Sequence, residues 1–357
     1  MKNTHSKVSI LGIILVASCA TEAPPPPPPP PPPAPKISMP DIIPQSVAPS
    51  EQSRSIHNMA GYFTGFADET GRAAANISSA QTIANSLDRS ALFARSEMVD
   101  GAKAYALLAA AQTPEFRAGI TQYGSPMGRA EFVRRMVSNP ANIKYVPGYA
   151  SAKMAASVAV TDKYSGIETS LAKIKQAAYD LQKVSWANVT QDKTARITAI
   201  TTNYGSPLQP TGFDATTIPV YTAPAPVAAV PATNGTIISP MSPAPANNVS
   251  DRVLAAAALY AVRADAEALE MLKIGAARSC VFRAHLNIRM CMAATRYPFE
   301  HSFCLSEHGQ KEALACAKTE VNEPVYVEYR PSIGARPTPP PPPPKAVPKA
   351  KAKAKKK

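Results

Sequence analysis

The chain has 357 residues and a formal net charge of +13, with 38 prolines and an aromatic content of only 6%. Long proline tracts cannot build a hydrophobic core, so composition excludes a chain made wholly of folded domains, and the folded part must pack mainly with Ala, Leu, Ile, Val and Met. The charge does not indicate a basic domain, because seven lysines lie in the last thirteen residues and two in the first seven, which leaves +4 on the rest.

The first eighteen residues have the pattern of an export signal. Lys2 and Lys7 precede a short apolar run, and this run is too short to span a bilayer as a helix. It ends in Val16-Ala17-Ser18-Cys19, which resembles the lipobox of bacterial lipoproteins. The resemblance implies cleavage before Cys19 and acylation of that residue, with Ala20 favouring the outer membrane. An ordinary signal peptide with an incidental cysteine is the alternative.

Residues 19–48 form a predicted spacer between this anchor and the folded part. Pro24–Pro33 are ten consecutive prolines, and such a tract adopts polyproline II with a rise of about 3.1 Å per residue. We expect it to hold the next domain away from the membrane. A ligand for a proline-recognising groove is the alternative.

Residues 49–205 are predicted to form an α-helical domain, because no sustained alternation of apolar and polar residues indicates strands. Thr113-Pro114-Glu115 and Ser125-Pro126 are typical of helix starts, and Asn139-Pro140 is typical of a helix end. Ala102–Ala111 favours close helix contact. An apolar stripe at helical spacing predicts bundle or coiled-coil-like packing, and it comprises Ile167, Leu171, Ile174, Ala178 and Leu181.

Residues 206–249 are rich in Pro, Ala and Thr, which predicts an extended linker. Residues 250–323 form a second predicted helical domain, whose first helix is capped by Ser250-Asp251. Residues 324–357 are predicted to be a disordered, Pro-rich and Lys-rich tail, although Val325–Tyr329 alternates like a short strand. The overall prediction is a mainly α protein with disordered proline-rich linkers.

Four cysteines within residues 250–323 predict two disulfides, because an even number in an exported chain is typical of oxidised thiols. Cys280 and Cys291 share one helical stripe, and Tyr297-Pro298 should end that helix. Ser306 is the expected cap of a second, antiparallel helix. Proximity to the turn then pairs Cys291 with Cys304 and leaves Cys280 for Cys316, which gives a disulfide-linked helical hairpin.

The alternative for these thiols is a metal site that includes His285, His301 or His308. Structural zinc sites draw on closely spaced pairs such as Cys-x-x-Cys, and the sequence contains none. The same absence argues against a redox-active motif. We therefore expect no metal and no cofactor.

No known catalytic motif is found in the sequence, including the Gly-x-Ser-x-Gly elbow, the P-loop and His-Glu-x-x-His. Glu97 and Glu168 lie on predicted helices beside apolar residues, but most acids on helix surfaces do the same. Trp186 and Tyr179 are of a type that stacks on sugar rings, although a packing role is the simpler interpretation. We expect no catalytic residues.

The lysines of the tail predict binding to a diffuse polyanion of the cell envelope, such as peptidoglycan or lipopolysaccharide, with a merely solubilising tail as the alternative. Nucleic acid is not favoured, because export removes it from reach and no aromatic residues are interleaved for base stacking. The sequence thus predicts a non-catalytic envelope lipoprotein that tethers or scaffolds. The alternatives are an enzyme acting on the cell wall or its accessory, and a subunit of a secretion or DNA-uptake apparatus. The lysines of the tail that carry the polyanion-binding prediction are Lys345, Lys349, Lys351, Lys353, Lys355, Lys356 and Lys357.

Overall fold

The computed structural model of this protein describes residues 42–43, 49–208, 213–221 and 248–322. Within these residues the fold is all helical, with twelve α-helices, and the one extended pairing is an isolated bridge between Val249 and Asn322. The predicted mainly α fold is confirmed. The export signal, the proline tract, the predicted strand and the lysine tail lie outside the described residues.

Side-chain caps explain where several of the first helices begin. The Ser50 hydroxyl accepts a hydrogen bond from the backbone N–H of Ser53 at 2.9 Å, and Ser79 and Thr82 form a capping box. Each cap satisfies donors that the first helical turn leaves free. The first seven helices are α1 (Glu51–Ala75), α2 (Ala80–Phe93), α3 (Ser96–Ala111), α4 (Pro114–Gly124), α5 (Arg129–Ser138), α6 (Tyr149–Asp180) and α7 (Lys193–Gly205).

The second group of helices begins at Ser250, which is the N-cap that the sequence predicts, and its side chain accepts from the backbone of Val253. A π-helical turn, Leu305–Gln310, joins the last two helices. The remaining five helices are α8 (Asp251–Ala261), α9 (Asp265–Lys273), α10 (Ala277–Ala294), α11 (Pro298–Cys304) and α12 (Lys311–Val321).

Two of the three proline signals in residues 113–140 are confirmed. Helix α4 begins at Pro114, and α5 ends at Ser138, immediately before Asn139-Pro140. The predicted start at Ser125-Pro126 is wrong, because α5 begins only at Arg129. The carbonyl of Gly124 accepts from the N–H groups of the two residues before α5 at 3.1 and 2.9 Å, so Pro126 lies in a turn that closes α4.

Helix α3 is the centre of the core, with every residue of Ala102–Ala111 buried. It packs against α1, α6, α8 and α12. Small side chains let several helices approach one axis closely, which explains the run of alanines. The core therefore includes residues from both helical segments, and the described residues from 42 to 322 belong to one compact unit.

The predicted apolar stripe of α6 faces this core. Ile167 and Ile174 are at most 1% exposed, Leu171 and Ala178 are also buried, and Leu181 is partly buried just past the helix end. The stripe meets α11 and the π-helical turn. The Ser302 hydroxyl donates to the carbonyl of Ile174 at 3.3 Å.

Part of the predicted linker packs against the folded unit. Ile218 is 1% exposed, and the ring of Phe213 lies 5.9 Å from that of Tyr105. The Gln112 amide donates to the carbonyl of Ala215 at 2.6 Å. Composition alone does not predict that this segment packs, because Phe213 and Ile218 are only two large apolar residues among many Pro, Ala and Thr residues.

Gly101 sets the distance between α1 and α3. A Cβ at this position would meet the carbonyl of Met59 on α1 well inside contact distance. We expect Gly101→Ala to lower the free energy of unfolding by about 1–3 kcal/mol, because overpacking forces the two backbones apart. Urea unfolding measures this change.

Gly166→Ala is the matched control, since this glycine is also helical but has open space around a Cβ. It should raise stability by about 0.5–1 kcal/mol through helix propensity. Equal effects of the two substitutions would show that α1 and α3 are not packed this closely.

Candidate functional site

Of the predicted functional residues, Cys19 and the lysines of residues 345–357 lie outside the described part of the chain. Lipidation and polyanion binding therefore stay predictions. Among the helices of the described residues, none combines the length and the apolar character needed to cross a bilayer.

The four remaining cysteines form two disulfides with the predicted pairing. Cys280 of α10 is bonded to Cys316 of α12, with Cα atoms 5.8 Å apart. Cys291 of α10 is bonded to Cys304 of α11, with Cα atoms 5.7 Å apart. The two bonds close nested loops, so α10 is held at both ends against the final helices of the unit.

The path between the disulfides differs from the predicted hairpin. The chain becomes helical again at Pro298, and the Glu300 carboxylate accepts from the backbone N–H of Tyr297 at 2.9 Å. Ser306 is not a helix cap. It lies buried within the π-helical turn, where its hydroxyl donates to the carbonyl of Phe303 at 3.1 Å. Continuous helical hydrogen bonding from α11 leaves no free N–H groups for Ser306 to cap.

Disulfide bonding removes the thiols that a metal site would need. In the described ranges no three His, Cys, Asp or Glu side chains come together as ligands for a metal ion. His308 is paired instead with Glu312 of the next turn, at 2.7 Å. His57 lies 3.0 Å from the hydroxyl of Tyr260.

Among the histidines of the described residues, His285 and His301 are the two that are buried, each 3% exposed. Burial, aided by nearby Arg289, lowers the pKa of His285 to about 4. Burial likewise lowers the pKa of His301 to about 4. The Nδ1 atom of His285 and the Nε2 atom of His301 have no hydrogen-bond partner among the described residues. Both rings are therefore neutral packing elements, and His285 stacks on Tyr204 with ring centroids 3.9 Å apart.

A groove of about 410 Å³ lies between α6 and α12 and includes Glu168. Its floor is apolar, and lysines pair with the acids on its rim. Glu168 forms an ion pair with Lys318, and Glu307 pairs with Lys175 and Lys311 at 3.0 and 2.8 Å. Partial burial acts to raise the pKa of Glu307, but hydrogen bonds from Lys311 and Lys175 prevail and hold that pKa below its ordinary value. A carboxylate held ionised in this way, as Glu307 is, does not supply a general acid.

The other residues considered for chemistry are not brought together. Glu97 is exposed in the first turn of α3. Trp186 packs against the core, whereas Tyr179 is 50% exposed. Tyr179 lines a second depression, of about 290 Å³, with Phe299 and Phe303. Trp186 is not among the residues that line this depression.

Sequence reasoning missed a buried charge network around Lys103, which is 2% exposed. Its ammonium lies 2.7 Å from Asp100 and 3.9 Å from Glu320, and it donates to the carbonyl of Ile274 at 3.3 Å. Burial raises the pKa of Asp100, and Lys103 opposes that shift. The network joins α3 to the segment that precedes α10. An Asp and a Lys three residues apart, followed by the apolar run Ala104–Ala111, were the available signal.

Comparison with known proteins gives no family for this arrangement, since no family model, no curated protein and no solved structure matches the chain.

Proposed function

We propose that this protein is a non-catalytic lipoprotein of the bacterial cell envelope that tethers its helical unit between the outer membrane and peptidoglycan. The observation that carries the proposal is the lipobox-like ending Val16-Ala17-Ser18-Cys19 after a short apolar run. Acyl chains on Cys19 would hold the chain to the membrane, because each buried methylene adds about 0.8 kcal/mol.

The two disulfides support an exported location. Cys280–Cys316 and Cys291–Cys304 use all four cysteines that follow Cys19. Structural disulfides persist in oxidising compartments and are rare in reducing ones. A chain that kept these bonds would therefore fold outside the cytoplasm.

The distribution of charge supports a tether. Seven lysines lie in Lys345–Lys357 with no acid among them, at the opposite end of the chain from Cys19. The stem peptides of peptidoglycan carry carboxylates, and a row of lysines attracts such a polyanion without needing a shaped pocket. One end of the chain would thus bind lipid and the other the wall.

Separate measurements test the lipid anchor at Cys19 and the binding of the lysine tail to peptidoglycan. In cell envelopes we expect a mature protein acylated at Cys19 by mass spectrometry, and Cys19→Ser should abolish this acylation and lower the share of the protein in the membrane fraction that resists extraction with salt. Deleting Lys345–Lys357 should weaken co-sedimentation with purified peptidoglycan and make the residual binding less sensitive to salt, because the screened charges are gone.

Two variants of the tail separate charge from length. Replacing its seven lysines with glutamine keeps the length and should reproduce the deletion, whereas replacing them with arginine should retain binding. An unprocessed or unacylated amino terminus overturns the membrane half of the proposal. Binding to peptidoglycan that is unchanged by the deletion overturns the wall half, as does a tail that binds only lipopolysaccharide.

A further inference from the structure

The outward face of α10 carries a row of large apolar side chains. Phe282 is 51% exposed, Leu286 is 38% exposed and Met290 is 70% exposed. They are four residues apart, so they form one stripe on the helix surface. A cluster of this kind indicates a contact surface more strongly than apolar residues that are exposed singly.

The disulfides hold this stripe away from the core. With about 100° per residue, Cys280 and Cys291 lie roughly 130° around the helix from the centre of the stripe. Because Cys280 is bonded to α12 and Cys291 to α11, α10 cannot rotate to bury its outer face. The inner face is already occupied, since Val281 and Ile288 are buried.

Arginines flank the stripe on both sides. Arg283 lies along one edge, and Arg278 and Arg289 lie along the other. Helix α10 contains no Asp or Glu, and none of the three arginines forms an ion pair within the described residues. The face is therefore both apolar and positively charged.

Two described acids, Glu97 and Glu312, lie near the borders of this face. Glu97 and Arg278 line the same depression at the start of α10. Glu312 accepts from Asn287 at 2.7 Å and is also bound by His308. At the far end the charge is again positive, because Lys193 donates to the carbonyl of Ala293 at 3.1 Å.

We infer that this face of α10 docks on an anionic phospholipid surface. Interfacial helices bury apolar side chains at the boundary of headgroups and acyl chains while basic side chains contact anionic headgroups. The apolar row flanked by unpaired arginines has this pattern, and its charge is complementary to phosphatidylglycerol. The inference rests on the proposed function in one respect, since an acylated Cys19 would keep the helical unit near a bilayer.

Vesicle binding by the chain from Ala20 to Lys357 tests this inference without the lipid anchor. The protein is exported behind an ordinary cleavable signal so that both disulfides form. The vesicles contain phosphatidylcholine alone or phosphatidylcholine mixed with phosphatidylglycerol. We expect binding to the mixed vesicles, and we expect Phe282→Gln/Leu286→Gln/Met290→Gln to weaken it about tenfold or more, because burial of even one large apolar side chain is worth that factor.

The matched control replaces three apolar residues that are comparably exposed elsewhere, Val137→Gln/Tyr145→Gln/Val189→Gln, which are 49%, 72% and 57% exposed. It keeps the lysine tail and should bind as the natural chain does. Arg278→Gln/Arg283→Gln should reduce the preference for phosphatidylglycerol. Thermal unfolding of each variant checks that the fold is retained.

Equal binding by the stripe variant and the natural chain overturns the inference. So does a stripe variant that binds vesicles normally but no longer self-associates, because the face would then contact a second copy of the chain. A chain that is not acylated in cells overturns the membrane half of the proposed function and leaves the vesicle result standing, since the assay contains no acyl anchor.

Discussion

Replacing Cys280 and Cys316 with serine should lower the free energy of unfolding by about 3–4 kcal/mol. The bond spans 36 residues, and opening it frees a long loop in the unfolded chain. The inner bond, Cys291–Cys304, spans 13 residues and should contribute about 3 kcal/mol by the same argument. Urea unfolding under oxidising conditions measures both effects.

A reductant provides the control for the disulfides. Dithiothreitol should destabilise the natural protein by at least as much as either double substitution, and it should not affect the stability of a variant in which the four disulfide-bonded cysteines are replaced. Since Cys280–Cys316 joins α10 to α12, its loss should expose the amide groups of both helices to hydrogen exchange first. Unchanged stability in the Cys280→Ser/Cys316→Ser variant would contradict a structural role for that bond.

Mild acid should destabilise this protein through its two buried histidines. His285 and His301 have pKa values lowered to about 4 by burial, whereas an unfolded histidine titrates near 6.5. Between these values the unfolded state binds more protons, so stability falls as pH decreases from about 6.5 toward 4. At pH 5 each buried histidine should lower the free energy of unfolding by about 2 kcal/mol relative to its value at neutral pH. Denaturant unfolding at pH 7.5 and pH 5 gives the difference.

Glutamine substitutions test the assignment, because glutamine is polar and does not titrate. His285→Gln and His301→Gln should each remove about half of the pH dependence, and the double variant should have a nearly flat profile over this range. A natural protein whose stability does not change between these pH values would contradict the neutral buried rings. A double variant with the full dependence would place its origin in other groups.

Local signals in the sequence predicted much of the helical structure. Ser250 caps α8 and Pro114 begins α4 as expected, because a cap or a proline acts on neighbouring backbone atoms. The predictions failed where the same local sequence is compatible with two structures, a helix start or a turn. Pro126 has the same preference for a first helical turn as Pro114, but Gly124 closes a turn around it.

The candidate sites show a similar division. Spacing along a helix was sufficient to pair Cys280 with Cys316 and Cys291 with Cys304, since each pair needs only an antiparallel return of the chain. The outward stripe of α10 was not predictable in this way. Val281 and Phe282 are neighbours with similar apolar character, yet the first is 1% exposed and the second 51%.

The sequence by itself determined the helical class, the disulfide pairing and the chemical asymmetry of the chain, with an apolar, cysteine-terminated beginning and a lysine-rich end. These properties depend on residue type and on spacings along the chain. Only the tertiary structure decided that α3 is shared by both helical segments, that Lys103 is buried, and which face of α10 meets solvent. Burial is decided by contacts between residues far apart in the chain, and the sequence around an apolar residue does not show which distant residue will pack against it.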